Sequence, residues 1–158
     1  MKKILISATI LAITGLLSCS KEESTEEQPL PPPPPETSWS FAVDAENYDG
    51  IVDRVKVEDV SGATLFTLEG SNTEAGSQLI LALGTDALAP GTYTGPAAGM
   101  LFVVNGALVY QSNDTTDLFS IQLTAVTDSS VQGLFTGTVL DSTGASVSLS
   151  NGAFTANR

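Results

Sequence analysis

From residue 37 onward, apolar and polar side chains alternate with the period of two that sends successive residues to opposite faces of a strand. Trp39, Phe41 and Val43 alternate with Ser38, Ser40 and Ala42. Ile51, Val55 and Val57 take one face of the next run, across from Val52, Arg54, Lys56 and Glu58. Leu79, Leu81 and Leu83 form a third run. Ile80 and Ala82 lie opposite them, so this strand is expected to be covered on both faces. Phe119, Ile121, Leu123 and Ala125 alternate with Ser120, Gln122 and Thr124, and Ala145, Val147 and Leu149 with Ser146, Ser148 and Ser150. Ser61-Gly62, Pro90-Gly91, Asp128-Ser129-Ser130 and Asp141-Ser142-Thr143-Gly144 punctuate the runs as turns. Asn105-Gly106, set between two apolar runs, signals a hairpin, because a type I′ turn needs positive φ at both central residues.

No stretch of this region combines a helical period with caps. The pattern predicts an all-β, antiparallel domain of about nine or ten short strands. The expected architecture is a β-sandwich, with a small β-barrel as the alternative. One face of each strand is rich in Ser and Thr and should meet water. Gly133 and Gly137 flank Phe135 on one strand, where glycines mark a bulge, a bend or the close approach of an aromatic ring.

The first 36 residues follow a different logic. Met1-Lys2-Lys3 is a short positive segment, and residues 4–17 are apolar but too few to span a bilayer comfortably. Leu16-Leu17-Ser18-Cys19 closes that run with a small residue before the only cysteine in the chain. This is a lipobox: residues 1–18 are expected to be a cleaved lipoprotein signal peptide. Cys19 is expected to become an acylated N-terminus, with the palmitate-type chains needed for stable membrane attachment. Residues 19–36 then form a linker. Ser20-Lys21-Glu22-Glu23 and Glu26-Glu27 make it charged, and Pro29 with Pro31 to Pro35 give it polyproline character, a stiff spacer ahead of the domain at 37–158.

Composition narrows the chemistry. The chain has 6 basic and 18 acidic residues, a formal charge of −12 that loss of Lys2 and Lys3 takes to −14. Such a chain is not drawn to nucleic acid or anionic lipid by its charge. It has no histidine and no cysteine besides Cys19. That excludes Ser-His-Asp and Cys-His catalysis, His- or Cys-based zinc sites, haem ligation by histidine and iron–sulfur clusters. The fold must rest on packing and strand pairing without disulfides.

The remaining candidates are oxygen ligands and aromatic rings. Asp44, Glu46, Asn47 and Asp49 crowd one loop, and calcium is the metal such ligands would take, although the spacing is not that of an EF-hand. Asn113, Asp114 and Asp117 form a second acidic loop. Tyr48, within the first loop, and Tyr110, beside Gln111, Ser112 and Asn113, are the rings best placed to stack on a sugar, provided they stand exposed. Trp39 shares its strand face with Phe41 and belongs to the core, and Tyr93 is expected to be half-buried. Asp53, Glu58, Asp59 and Glu69 offer carboxylates, but none lies in a hydrolytic motif.

Two resemblances add to this reading. The acidic residues just after Cys19 resemble the export signal of Bacteroidota surface lipoproteins, which implies the outer membrane with the protein facing outward; the periplasmic face is the alternative. Pro90-Gly91-Thr92-Tyr93, Gly133-Leu134-Phe135-Thr136-Gly137 and Leu149-Ser150-Asn151-Gly152-Ala153-Phe154 occur in an order similar to that of a family of small Bacteroidota lipoproteins. The resemblance covers the lipobox, the spacer and about the last seventy residues. It implies an all-β domain of unknown function and supplies no catalytic residue. The expectation is a lipid-anchored, non-catalytic binding or structural module of the cell envelope, needing no cofactor unless calcium. Its partner would be a glycan or an envelope protein, and its oligomeric state is open. The alternative is an accessory subunit of an outer-membrane uptake complex.

Overall fold

The computed structural model describes residues 37–113 and 118–158. The signal peptide, Cys19, the linker, Asp114 and Asp117 lie outside the described residues. The described chain is antiparallel throughout, without a helix among the described residues. Its strands are β1 (Ser38–Val43), β2 (Glu46–Val60), β3 (Ala63–Asn72), β4 (Ser77–Thr85) and β5 (Gly91–Thr94), then β6 (Ala98–Val104), β7 (Ala107–Ser112), β8 (Phe119–Val126), β9 (Ser130–Asp141) and β10 (Ser146–Asn157).

The sandwich expectation is corrected: the sheet does not divide into two layers but closes on itself. The order β10-β1-β2-β3-β4-β6-β7-β9 returns to β10 through a β9–β10 ladder, an eight-stranded ring. β5 and β8 are not extra staves. β7 pairs with the end of β9, from Val139 to Asp141, and β8 with its earlier part, from Val131 to Gly137. β7 and β8 thus lie end to end along one edge of β9. β5, paired with β8, precedes β6, paired with β7, in the same way. The molecule is an up-and-down barrel in which two neighbouring staves are each interrupted once.

The interruption turns on Gly137, whose φ is 137°. A Cβ there would lie 1.9 Å from the Leu118 carbonyl oxygen, and the next amide, Thr138 N, donates to that same oxygen at 2.9 Å. Gly137 thus admits a close approach of the Leu118 backbone, and it marks where one edge of β9 changes partner.

Bulges supply the remaining curvature. One lies between Val52 and Arg54 of β2, and it resets which residues face inward. Before it, Tyr48 and Val52 face the core; after it, Val55 does. Ile51, placed on the inner face by simple alternation, is 58% exposed, whereas Val52 is buried. On β4 the leucines are buried and Ile80 and Ala82 are half-exposed, so only its inner face is fully covered.

The barrel is filled with side chains. Trp39, Phe41, Phe66, Phe102, Phe119 and Phe135 are buried, with Leu68, Leu79, Leu81, Leu83, Ile121 and Leu123 packed among them. Room for these rings comes from inward glycines paired with them across the sheet. Gly50 lies opposite Trp39, Gly133 opposite Phe154, and Gly152 opposite Phe135. A Cβ at Gly133 would come within 2.6 Å of Phe154 Cζ, and one at Gly152 within 2.6 Å of Phe135 Cδ2. β9 and β10 thus exchange glycine for phenylalanine reciprocally. The indole of Trp39 donates to the Ile51 carbonyl at 3.0 Å, so its one polar atom is satisfied inside the core.

Candidate functional site

Tyr48 and Tyr110 come together, but not as a stacking platform. Tyr48 lies flat against Phe41, centroids 5.0 Å apart, and edge-on to Phe102 at 5.0 Å; Tyr110 stacks on Phe102 at 6.1 Å. One face of each ring is thus taken by a core phenylalanine, and both tyrosines are half-buried. The hydroxyl of Tyr48 donates to Glu46 Oε2 and lies 3.3 Å from that of Tyr110. Burial first, then the bonds to Glu46 and Tyr110, push the Tyr48 phenol far above its ordinary value. The arrangement borders the aromatic core with a hydrogen-bonded Glu46–Tyr48–Tyr110 group. Trp39 is buried within that core, and Tyr93 is half-buried with its hydroxyl donating to the Ala89 carbonyl at 2.8 Å.

The first acidic loop is mostly strand. Asp44 occupies the β1–β2 turn with φ 54°, while Glu46, Asn47 and Asp49 belong to β2. Glu46 turns to Tyr48, and strand alternation sends Asn47 and Asp49 to the opposite face. Among the described residues, no three carboxylate, histidine or cysteine side chains gather in a metal-binding group. Other carboxylates have structural partners: Glu69 takes Arg54 at 2.6 Å, Glu58 takes Lys56, and Asp59 accepts from Gly62 N in the β2–β3 turn.

A concavity on the outer wall takes Thr92, Leu134, Thr136, Asn151 and Ala153 from the three motifs that carry the family resemblance, with Ser120 and Gln122 of β8 beside them. Strand register aligns Thr92 with Gln122, Gln122 with Leu134, Leu134 with Ala153, and Ala153 with Ser40. These five residues form one outward row across β5, β8, β9, β10 and β1, about 19 Å long at about 4.8 Å per strand. A hollow of about 450 Å³, lined by Thr92, Ser120, Gln122, Leu134, Thr136 and Asn151 among others, adjoins one of about 200 Å³ beside Ser38, Ser40, Thr124 and Gln132. The two meet at Leu134 and Ala153, which line both, and together they are termed the trough.

Local chain geometry creates the trough. β10 bulges between Leu149 and Gly152, with Asn151 at φ 53°, and β8 bulges between Leu123 and Ala125. Gly152 presents no side chain at the bulge. Leu134 stands in the middle at 47% exposure. The side chains of Thr92, Gln122 and Asn151 have no hydrogen-bond partner among the described residues, whereas Thr136 donates to the Leu149 carbonyl at 3.0 Å.

Charge is kept off this wall. β1, β5, β8 and β10 contain no charged residue, and β9 contains only Asp141 at its end. Strand charge is concentrated on β2, whose Asp49 faces Ser40 where the row stops. The arrangement suits hydrogen bonding and apolar contact with a neutral group. Only the three-dimensional register could reveal it, since its residues come from five separate stretches of sequence.

The fold and site define a closed antiparallel barrel with an apolar filling and, across β5, β8, β9, β10 and β1, an uncharged and largely polar outer wall. Comparison with known proteins finds no matching family model, curated protein or solved structure.

Proposed function

We propose that this chain is a lipid-anchored cell-envelope protein whose barrel is a non-catalytic binding or structural module, displayed on the outside of the outer membrane. The observation that carries the reading is the inside-out distribution of polarity relative to a membrane-spanning barrel. Here the rings and leucines fill the lumen, and Ser, Thr and Gln face outward from β1, β8, β9 and β10. A spanning barrel needs an apolar outer band. This barrel is built to stand in water, and the membrane attachment falls to Cys19 behind its lipobox. The likeness to small Bacteroidota lipoproteins supports the same reading. With the lumen filled by side chains, binding belongs to the outer wall.

Labelled palmitate incorporated by the wild-type chain, lost in Cys19→Ala together with membrane fractionation, is the expected result. Palmitate still entering Cys19→Ala would overturn the anchor. Alanine at Lys21, Glu22 and Glu23 is expected to leave acylation intact and to reduce protease accessibility on whole cells. Unchanged accessibility would remove the export role of the acidic stretch.

A further inference from the structure

We infer that the outer trough across β5, β8, β9, β10 and β1 is a binding site for a neutral oligosaccharide. The inference rests on the reading of the domain as a binding module and names the ligand class of its outer wall. Three features of the trough converge on this chemistry.

The first is charge. The trough residues are uncharged in a chain of net charge −12, and the first charge along the row is Asp49, beyond Ser40. A carboxylated or phosphorylated ligand gains no counter-charge there. A cation would be drawn to β2 and the acidic turns instead.

The second is hydrogen-bond type. Hydroxyls both donate and accept, and a carboxamide carries one group of each kind. Thr92, Gln122 and Asn151 offer such groups unpaired, and Ser120, Thr136, Ser38, Ser40 and Gln132 continue the set. Sugar hydroxyls have the same dual character. An extended peptide instead requires free backbone donors and acceptors, as at a sheet edge. Here β8, β9, β10 and β1 each have ladder partners on both sides, so their backbone is committed, and only the four-residue β5 at the end of the row has a ladder on one side alone.

The third is shape. The row follows one registered line across five strands, suited to a short chain of rings lying across the sheet. Leu134 and Ala153 form its apolar middle, where the C–H face of a ring can rest between polar flanks. Tyr48 and Tyr110 each have one face stacked on a core phenylalanine, so recognition at the trough is assigned to its hydroxyls, amides and apolar middle rather than to these rings.

The test uses the full acylated chain in detergent micelles on an array of immobilised oligosaccharides. Neutral gluco-, manno- and galacto-configured chains are set beside sialylated and uronic-acid chains and beside neutral peptides. Retention of at least one neutral oligosaccharide is expected. Its affinity should fall about tenfold or more in Leu134→Asp and in Gln122→Ala, and stay unchanged in Ile51→Ser, an exposed outer-wall change on β2. Each variant is checked by its unfolding transition, and all three positions are exposed, so folding should survive. No neutral oligosaccharide retained, retention of acidic chains or peptides only, or binding indifferent to both trough changes would overturn the inference. Failure on the array with palmitate labelling and surface exposure intact would leave the anchored module standing and remove only this ligand.

Discussion

Gly70→Ala tests the glycine-for-aromatic packing directly. A methyl group built on Gly70 would lie 2.4 Å from Trp39 Cδ1, 2.5 Å from Trp39 Nε1 and 2.7 Å from the Ile51 carbonyl oxygen. The ring has little room to retreat, since a Cβ at Gly50 would already lie 2.5 Å from Trp39 Cζ2, and Trp39 is only 1% exposed. Overpacking of this kind costs about 1–3 kcal/mol. Displacing the indole from Ile51 O removes a hydrogen bond worth about 1 kcal/mol net. The expected loss is about 3 kcal/mol, which at a slope of roughly 2 kcal/mol per molar lowers the urea midpoint by about 1.5 M. The chain has one tryptophan, so its fluorescence reports the perturbed site itself. Emission should move to the red in the native baseline. Gly84→Ala is the control, because a Cβ there meets nothing within 4 Å; it should be neutral or slightly stabilising. In a double-mutant cycle, Trp39→Phe should make Gly70→Ala less costly by vacating the contact. A Gly70→Ala midpoint within error of wild type, or strict additivity with Trp39→Phe, would refute the packing argument.

Gly137→Ala places a Cβ against the Leu118 carbonyl at a φ of 137° and should destabilise the fold by about 2 kcal/mol or more, with hydrogen exchange rising first in β7, β8 and the adjoining part of β9. The Tyr48 phenol is raised in the folded chain, so the unfolded chain releases its proton first, and stability should fall as pH climbs through the ordinary tyrosine range near 10. Tyr48→Phe should flatten that alkaline limb in denaturation midpoints against pH, and an unchanged limb would count against the Tyr48–Glu46–Tyr110 arrangement. Asp141 is lowered by hydrogen bonds from Thr143 and Ala145, so its contribution is present above the ordinary carboxylate range and lost as pH falls below it. Asp141→Asn should flatten the acid limb in the same assay.

The alternation of Trp39, Phe41 and Val43, or of Phe119, Ile121 and Leu123, reads directly as strand because each residue's facing depends only on its near neighbours. Asn105-Gly106 is equally local, and both residues do take positive φ, 50° and 78°. Alternation alone groups Ile51 with Val55 and Val57, but the bulge at Asp53 has no apolar or glycine marker and reverses the facing on either side, so Val52 shares the inner face with Val55. Closure into a ring was not legible, since sandwich and barrel strands alternate alike. It depends on β10 reaching β1, at the far end of the chain. Tyr48 reads as exposed among acidic neighbours, but Phe41, across a turn, stacks on one face of its ring and the distant Phe102 meets it in an edge contact. The trough was hidden for a related reason: Thr92, Gln122, Leu134, Ala153 and Ser40 become neighbours only through four separate strand pairings.

Closure through β1 and β10 has a consequence for how the chain is made. β1 is the first strand of the domain to be synthesised and β10 the last, yet each completes the other's ladder. Until β10 arrives, one row of β1 backbone donors and acceptors stays open, and an open row can pair with another chain. β1 is six residues long and its outward side chains include Ser38 and Ser40, features that keep such a row a poor template while it waits. Closing the ring joins the two ends of the domain, a non-local pairing of the kind that slows folding. A nascent chain that stops short of residue 150 would leave two lasting edges, one on β1 and one on β9. For this domain, the cost of premature termination is an adhesive fragment rather than a merely shortened barrel.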